Sequence, residues 1–482
     1  MKHDYTSLFI DGQWVAPHSA DVNTVINATT EEAMGRTPIS DSADVDAAVA
    51  AARRAFDGTG WSDLEPAARA DTLERFAHEL EKRSTLIAET VTAENGMPIT
   101  LSVPANGYSG AGFLRYYAGL IREFPLEETR AGDRPGEILV RREPLGVVAA
   151  LVPWNYPQAL AMMKIAPALA AGCTVVLKPA LETALDANIM AEAAAAAGLP
   201  PGVFNVVPGG IEAGQALVAH PGVDKVSFTG STATGRIIGE VAGRLLRPVT
   251  LELGGKSAAI VLDDADVATA VGGLAEVSFP NNGQTCTANT RVLAPARRYA
   301  QILDAVTDLA KSLTVGDPFD PATAVGPVVS ARQRERIEGY IATGRGEGAR
   351  LTAGGGRPAH LERGWFLEPT VFGDVRNDMV IAREEIFGPV ITVIPYRTDT
   401  EAVELANDNE YGLAGSVWTG DVERGTALAR RIRTGTIGIN GYRIDNAAPF
   451  GGYKASGLGR ENGPEGLMAY FQTKSILPPV TA

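Results

Sequence analysis

The sequence is poor in cysteine, since only Cys173 and Cys286 occur among its 482 residues. This scarcity argues against a disulfide scaffold and fits a reducing compartment such as the cytoplasm. Histidine is also scarce, and the few copies are scattered along the chain, with none at ligand spacing from another histidine or from a cysteine. We therefore expect no bound metal.

Long basic clusters and long apolar runs are missing as well. The densest basic group is Arg430–Arg431 with Arg433, in a chain of net charge −14. Nucleic acid and anionic membranes need a basic face, so neither is expected as a partner. No apolar stretch approaches the roughly 18 residues of a membrane helix, and the N-terminus lacks the apolar core of a secretory signal. We expect a cytoplasmic protein.

A chain of this length usually forms two or three domains. Its N-terminal part predicts a helix over 42–58 and a helical stretch over 66–94 that ends at Gly96. Short apolar runs then alternate with helical segments; the runs occupy 145–152, 174–179, 204–209, 223–230 and 249–255. This alternation predicts an α/β fold with a doubly wound parallel sheet, which binds ligands at the carboxyl ends of its strands.

The alternation restarts after residue 256 and predicts a second α/β unit. Its first strand is expected over 257–262 and a helix over 301–314. Two further strands are expected near 388–396 and 435–440. The runs are short and bounded by turn residues, as in buried strands.

One motif, Phe228–Arg236, follows a predicted strand and opens a helix. Gly230 and Gly235 flank Ser231 within it, and backbone N–H groups at such a helix start suit a phosphate. An ordinary turn with a serine cap has the same pattern. The motif alone leaves both interpretations open.

The two cysteines differ in their surroundings. Cys173 precedes an apolar strand, as expected of a buried thiol. Cys286 follows Gly283 in NNGQTCT, where most neighbours are polar. A thiol in such a loop can attack a carbonyl if its pKa is lowered.

Two more polar residues stand at strand ends. Glu252 lies in LELGGK among apolar residues, where a carboxylate either accepts backbone hydrogen bonds or is kept as a base. Asn155 lies between the prolines of PWNYP, where its amide is either part of a turn or a fixed oxyanion donor. Together with Cys286 and the glycine-rich turn, these residues suggest a nucleophile, a base, an oxyanion donor and a dinucleotide site.

At this point the sequence resembles the NAD(P)-dependent aldehyde dehydrogenase superfamily, over nearly its whole length. The resemblance rests on an ordered set of motifs: FIDGQW, PWNYP, the Lys178–Pro179 pair, FTGSTATG, LELGGK, GQTC, EEIFGPV, and PFGGYKASGLGRE at 449–461. It implies oxidation of an aldehyde to its acid through a thiohemiacetal and thioester on Cys286.

The resemblance also assigns roles by position. Cys286 corresponds to the nucleophile, Glu252 to the base that activates water, and Asn155 to the oxyanion donor. The residues that correspond to the family's dinucleotide site are Trp154, Lys178, Gly230, Ser231, Gly235, Glu385 and Phe387. NAD is the expected cofactor and NADP the alternative, because Leu181 replaces the glutamate that discriminates them in many members, with Glu182 following.

The fold implied by the resemblance has three parts. A Rossmann-type dinucleotide-binding domain is expected over 1–124 and 145–253, and a catalytic domain over 254–447. A small β oligomerisation arm and a C-terminal segment, over 125–144 and 448–482, are expected to join subunits into homodimers or homotetramers.

Three points stay open from the sequence. Gln472 replaces a glutamate linked to the proton relay in many members, whereas Lys164 matches another part of that relay. A CoA-acylating semialdehyde dehydrogenase and a catalytically silent binding or structural paralogue are the alternatives to hydrolysis, although both should lack residues that this chain keeps. The aldehyde is not identified; the expected pocket comprises Met163, Phe279, Pro280, Thr285, Thr287 and the loop 442–448.

Overall fold

The structure, a computed structural model, describes residues 3–58, 60–133 and 136–479. Within these ranges two large, mainly parallel sheets organise the chain. The strands of the first sheet are, in spatial order, Gly457–Leu458, Val249–Glu252, Lys225–Thr229, Val147–Leu151, Thr174–Lys178, Phe204–Val206, Leu8–Ile10 and Gln13–Val15. Those of the second are Arg350–Ala353, Thr370–Gly373, Val390–Tyr396, Arg291–Pro295, Ala258–Val261, Gly415–Trp418 and Gly438–Ile439.

The middle strands of the first sheet, from Val249–Glu252 to Phe204–Val206, run parallel. Alternate residues of one strand enter different apolar clusters: Val148 and Ala150 pack on one face, Val147 and Ala149 on the other. Both faces are therefore covered, which explains the uninterrupted apolar runs. The predicted α/β fold is confirmed.

Chain order reverses in this sheet between Val147–Leu151 and Lys225–Thr229. From the first of these strands the chain continues to Thr174–Lys178 on one side and later returns to the other side. The loops after these two strands consequently diverge and leave a crevice at the carboxyl edge, where such sheets bind ligands.

Helices pack against both large sheets. The α-helices of eight or more residues are Ser42–Gly58, Pro66–Glu81, Ser84–Asn95, Ser109–Glu123, Pro157–Ala171, Ala184–Ala196, Ile211–Ala219, Thr232–Arg244, Val267–Ser278, Tyr299–Ser312, Ala331–Gly346, Asp399–Asn407 and Val422–Ala429. The short ones are Ile99–Ser102, which a π-helical turn at Val103–Tyr108 follows, Val380–Arg383 and Gly463–Met468. Within the described ranges, no helix is long and apolar enough to cross a membrane.

The helix predicted over 42–58 is confirmed, but the continuous helical stretch over 66–94 is wrong. It breaks at Lys82 and Arg83 into two helices. Arg83 donates through its guanidinium to the Glu79 carbonyl and carboxylate, so a side chain satisfies the end of the first helix. The second helix ends, as predicted, at Gly96, which has φ 83°.

Two small sheets complete the fold. One joins His3–Asp4, Ala33–Pro38 and Val22–Ile26. The other is antiparallel and joins Phe471–Ile476, Glu137–Pro144 and Glu127–Ala131. Most side chains of this second small sheet are exposed or half-buried, so it stands out from the body of the subunit.

Candidate active site

The residues singled out in the first sheet meet at its carboxyl edge. Asn155 follows the strand Val147–Leu151, Lys178 ends the next strand, and Gly230 follows Lys225–Thr229. Glu252 is the last residue of the neighbouring strand Val249–Glu252. Parallel strands end side by side, so a set of residues that is dispersed in sequence lines one crevice.

Cys286 lies in the loop between the helix Val267–Ser278 and the strand Arg291–Pro295. It is half-buried and packs against the apolar cluster that contains Met163 and Leu160. The loop approaches the main chain closely: a Cβ atom on Gly255 would lie 2.2 Å from the Cys286 carbonyl oxygen, and one on Gly283 would lie 2.1 Å from the Gly388 carbonyl oxygen. Glycine is required at both points.

The polar neighbours of Cys286 are a buried scaffold rather than a solvated turn. The Asn282 amide donates to the carbonyls of Gly96 and Pro327, at 2.9 and 2.8 Å. The Gln284 side-chain carbonyl accepts from the Val329 N–H at 2.9 Å. The polarity that made this loop conspicuous in the sequence therefore fixes its shape.

Asn155 is tied to the same loop. Its side-chain amide donates to the Gln284 carbonyl at 3.0 Å, and its own carbonyl accepts from the Asn281 amide at 2.8 Å. An amide nitrogen carries two hydrogens, so one remains for a further acceptor. The Asn155 donor is buried, and its bond to Gln284, two positions before Cys286, holds it in place.

Glu252 is buried, and neither of its carboxylate oxygens accepts a hydrogen bond from the described part of the chain. Gly451 leaves room for it, because a Cβ atom there would lie 2.6 Å from Glu252 Oε1. Burial and the nearby Glu461 raise the pKa of Glu252 well above its usual range, although Lys164 opposes them. Of the two alternatives from sequence, the geometry favours a carboxylate kept as a base.

The thiol of Cys286 also resists ionisation. Burial first, and then the carboxylates of Glu385 and Glu252, raise its pKa to about 12. A nucleophilic thiolate therefore requires transfer of the Cys286 proton to a base.

A buried ion pair lies behind Glu252 and was missed from sequence. Lys164 Nζ donates to Glu461 Oε1 at 2.5 Å and to Thr229 Oγ1 at 2.6 Å. The sequence signal was available, since Lys164 interrupts an apolar helix and a buried ammonium needs a counter-charge. Gln472, in contrast, is exposed on the outer strand Phe471–Ile476 and pairs with Glu143. Whether residue 472 bears on the relay stays open.

Lys178 and Ser231 lie at the carboxyl ends of the two strands that flank Val147–Leu151. Lys178 Nζ donates to the Pro179 and Gly209 carbonyls, which leaves one of its three hydrogens for a ligand. Burial lowers its pKa to about 8, opposed by Glu182. Ser231 is exposed at the N-terminus of the helix Thr232–Arg244, where its hydroxyl accepts from the Thr234 N–H at 3.2 Å. It caps the helix and leaves a helix start open to phosphate.

Gly230 and Gly235 serve packing at this turn. A Cβ atom on Gly230 would lie 2.4 Å from the Phe228 ring, and one on Gly235 would lie 2.4 Å from Leu253. The two glycines thus let the helix start close to the sheet edge.

Glu385, Phe387 and Trp154 form the opposite wall. Glu385 Oε1 accepts from the Gly255 N–H at 2.9 Å, and burial raises the pKa of this carboxyl to about 7. The rings of Trp154 and Phe387 meet edge to face with centroids 5.3 Å apart. Phe387 has φ 61°, a backbone conformation that is rare without glycine.

These groups fit a dinucleotide. A lysine and a carboxylate can bind ribose hydroxyls, an open helix N-terminus suits the pyrophosphate, and the aromatic wall suits a flat ring.

The expected substrate pocket is met only in part. Met163 is buried in the cluster that Cys286 contacts, and the Tyr156 hydroxyl lies 2.9 Å from Thr285 Oγ1. The Thr287 carbonyl accepts a hydrogen bond from the Tyr442 hydroxyl at 2.6 Å, which holds this residue in place. Phe279 packs instead beneath the second sheet with Trp418. Arg443 and Asp445 are exposed, as expected for a surface loop.

Comparison with known proteins decides the family. The family model described as "Aldehyde dehydrogenase family" matches residues 14–476. The chain belongs to the aldehyde dehydrogenase family. A geranial dehydrogenase of Castellaniella defragrans is 52% identical over 99% of both chains, and a 3-succinoylsemialdehyde-pyridine dehydrogenase of a Pseudomonas species is 43% identical over 98% of both.

Solved structures agree with this assignment. An aldehyde dehydrogenase of Mycobacterium tuberculosis complexed with NAD⁺ superposes with a TM-score of 0.97, at 52% identity over 99% of both chains. A mutant of aldehyde dehydrogenase C from Pseudomonas syringae, in complex with NAD⁺ and octanal, gives 0.96 at 40% identity over 99% of this chain and 98% of the other. The predicted family, fold class and enzyme class are confirmed: this aldehyde dehydrogenase is an oxidoreductase that uses a nicotinamide dinucleotide.

Proposed function

We propose that this aldehyde dehydrogenase converts its aldehyde to the free acid through a covalent intermediate on Cys286, with water as the final acyl acceptor. The observation that carries the proposal is Glu252: a buried carboxylate with no hydrogen-bond partner in the described residues, at the strand end beside the thiol loop. Such a group has no evident structural task and is poised to take a proton.

The first step needs a thiolate. The Cys286 thiol gives its proton to a base, and the carboxylate of Glu252 suits this task because its raised pKa increases its affinity for a proton. Sulfur then forms a bond to the aldehyde carbon, and the carbonyl electron pair moves to oxygen, which gives a thiohemiacetal anion.

The Asn155 amide supplies a donor for that oxygen. It is held in place by Gln284, whose carbonyl occupies only one of its hydrogens. A preorganised donor of this kind typically lowers a barrier by about 3–4 kcal/mol.

The nicotinamide ring, when bound, supplies the acceptor for the hydride that leaves the thiohemiacetal carbon. Lys178, Ser231 and Glu385 would hold the dinucleotide, with Trp154 and Phe387 as walls. Glu252, after releasing to solvent the proton it took from Cys286, takes a proton from water; the hydroxide adds to the thioester, and sulfur leaves as thiolate.

Two observations argue against the alternatives, a CoA-acylating enzyme and a catalytically silent paralogue. A CoA-acylating enzyme needs no base for water, yet Glu252 is buried and unpartnered here. A silent paralogue has no reason to keep a thiol, a free carboxylate and a preorganised amide at one crevice.

NAD rather than NADP is the proposed cofactor. The carboxylate of Glu182 lies close enough to Lys178 to influence its pKa. It is partly exposed and meets Arg332 at 3.4 Å. A 2′-phosphate bound at Lys178 would therefore meet a negative charge that is only weakly compensated.

We propose an apolar aldehyde as substrate. Cys286 and Tyr156 are partly buried and pack against the apolar cluster that contains Met163 and Leu160. Geranial and octanal, which the names of two relatives mention, are aldehydes of this kind.

The subunit is proposed to form homodimers or homotetramers. Ile237 and Leu246, on and just after the helix Thr232–Arg244, are 58% and 92% exposed, which is unusual for large apolar side chains. The exposed small sheet of Glu127–Ala131, Glu137–Pro144 and Phe471–Ile476 is the second proposed contact, which retains the expected arm over 125–144 and 448–482. The expected dinucleotide-binding part, 1–124 with 145–253, and catalytic part, 254–447, stay as the proposed division of the chain.

The cytoplasm is the proposed location, because both cysteines are free and the reaction requires Cys286 to stay reduced.

The decisive experiment uses Glu252→Gln enzyme, NAD⁺ and octanal. Substitution keeps the shape but removes the base, so turnover should fall by about 10²–10⁴-fold. Intact-mass spectrometry should find an octanoyl adduct on Cys286, with roughly one NADH released per subunit, and both should form more slowly than in the wild type because Glu252 also accepts the thiol proton. The exposed Glu362→Gln is the matched control and should keep wild-type turnover.

Two cysteine variants complete the experiment. Cys286→Ala should give neither adduct nor NADH, whereas Cys173→Ala should turn over like wild type. Wild-type turnover in Glu252→Gln would refute the base. Restoration of turnover by coenzyme A, with an acyl-CoA product, would favour the acylating alternative.

A further inference from the structure

A second polar site lies beside Gly254 and Gly255. A small cavity there is lined by Lys256, Ser257, Arg291, Tyr411, Gly412 and Thr434, among others. It leaves about 10 Å³ for the centre of a water-sized occupant, which is room for roughly one.

Two donors at this cavity have no partner among the described residues. Lys256 and Ser257 are 2% and 4% exposed, and neither Lys256 Nζ nor Ser257 Oγ finds a hydrogen-bond partner in the described chain. A buried ammonium without a partner is costly, so a ligand is expected to accept from it.

Two further basic side chains lie near Lys256. Arg291 is fully buried and donates only to neutral acceptors: the carbonyls of Lys256, Leu405 and Ala406 and the amide oxygen of Asn377. Lys454 likewise donates only to the carbonyls of Asn407 and Asn409. None of the three basic side chains forms an ion pair with a described carboxylate.

The nearby carboxylates are engaged elsewhere. Glu385 accepts from the Gly255 N–H, and Asp408 meets Arg383 at 3.2 Å and Asn377 at 3.1 Å. Burial first, and then Arg291, lower the pKa of Lys256 to about 7, whereas the carboxylates of Glu385 and Glu384 act in the opposite direction. No acceptor in the described part of the chain bonds to Lys256 Nζ or Ser257 Oγ at this space.

We infer that this cavity is a binding site for one small monovalent anion of halide size, which accepts hydrogen bonds from Lys256 Nζ and Ser257 Oγ. A single water would satisfy one donor but would leave the charge of Lys256 and Arg291 uncompensated. Sulfate and phosphate are too large for a space that holds about one atom. The inference concerns folding and ligand binding, and it stands apart from the proposed catalytic scheme.

The first test is crystallographic. Crystals of the wild-type enzyme are grown or soaked in sodium bromide, and anomalous scattering locates the bromide ions. A peak in the cavity, within hydrogen-bond distance of Lys256 Nζ, is expected. Bromide peaks only elsewhere on the protein would overturn the assignment.

The second test measures thermal unfolding at fixed ionic strength, with sodium chloride or bromide replacing sodium gluconate. A ligand that binds only the folded state raises the melting temperature with its concentration. Wild-type enzyme should show a saturable rise with either halide, and sodium sulfate should not reproduce it.

Lys256→Met and Ser257→Ala should weaken halide binding by about ten- to hundredfold, because each removes a buried donor to an ion. Lys311→Met, on an exposed helix face, is the matched control and should respond like wild type. If Lys256→Met does not fold, Ser257→Ala decides. A halide response unchanged in Ser257→Ala, or absent from the wild type, rejects the site.

Discussion

Lys164 and Glu461 form a buried ion pair of 2.5 Å directly beside the carboxylate of Glu252. Lys164 lowers the pKa of Glu252 and Glu461 raises it. The pair therefore sets how readily the proposed base holds a proton, although neither member needs to touch the substrate.

Replacing Glu461 should consequently move the pH profile of the enzyme. Glu461→Gln removes a negative charge, so the pKa of Glu252 falls and the acidic limb of the kcat–pH profile moves to lower pH. Lys164→Met removes the opposing positive charge and should move that limb to higher pH. Steady-state rates at saturating NAD⁺ and octanal measure both profiles. If both variants keep the wild-type profile, the ion pair does not influence the pKa of Glu252.

Cofactor choice should depend on Glu182. Glu182→Gln removes the negative charge near Lys178, so kcat/KM for NADP should rise by about tenfold or less, as expected for a partly exposed charge, with little change for NAD. Leu181→Gln is the matched control, because its neutral parent side chain repels nothing. A wild-type kcat/KM for NADP equal to that for NAD would contradict the proposed preference.

A buried pair of acids should make stability depend on pH. Glu94 and Asp186 are both buried. Burial, and then the neighbouring Asp186, raise the pKa of Glu94 well above its usual range. Burial raises the pKa of Asp186 from 3.8 to about 8. Acids with a raised folded-state pKa stabilise the fold below their unfolded pKa, and this stability is lost as pH rises through the folded-state value.

The melting temperature should therefore fall as pH rises through about 8. Glu94→Gln keeps an oxygen for the Leu185 N–H, which donates to Glu94 at 2.8 Å, and removes one of the two acids. This variant should melt above the wild type at pH 9 and show a flatter curve. Parallel curves for the two proteins would show that the pair does not titrate in this range.

Leu246 offers the sharpest test of assembly. It is 92% exposed and has φ 52°, which asparagine tolerates better than most residues. Leu246→Asn should preserve the backbone and weaken subunit association by about tenfold or more, if the side chain is a contact centre. Sedimentation velocity over a concentration series measures this. Val422→Asn, on an exposed helix start, is the control, and equal association in both variants would exclude Leu246 from the interface.

The sequence predicted the sheets well because buried parallel strands leave a strong local signal. The run at 174–179 and the strand Thr174–Lys178 nearly coincide. The break at Arg83 was invisible, since it depends on a guanidinium that reaches Glu79 only in the folded chain. Local patterns report burial, whereas caps made by long side chains depend on geometry.

The site was predictable in part for the same reason. Residues at strand ends, such as Asn155 and Glu252, are located by the fold class alone. Glu461 was not, because its partner Lys164 is 297 residues away. A buried lysine in an apolar helix indicates that a carboxylate must pair with it, but the sequence does not identify that carboxylate.

The close approaches at Gly255 and Gly283 bear on how this enzyme could be redesigned. The thiol loop passes so close to main-chain atoms on two sides that a side chain at either glycine would displace it. Libraries that seek new substrates should therefore randomise side chains beside the loop, such as Met163 and Tyr156, and leave both glycines untouched. The backbone of the loop is the part to keep, and the side chains around it are the positions to vary.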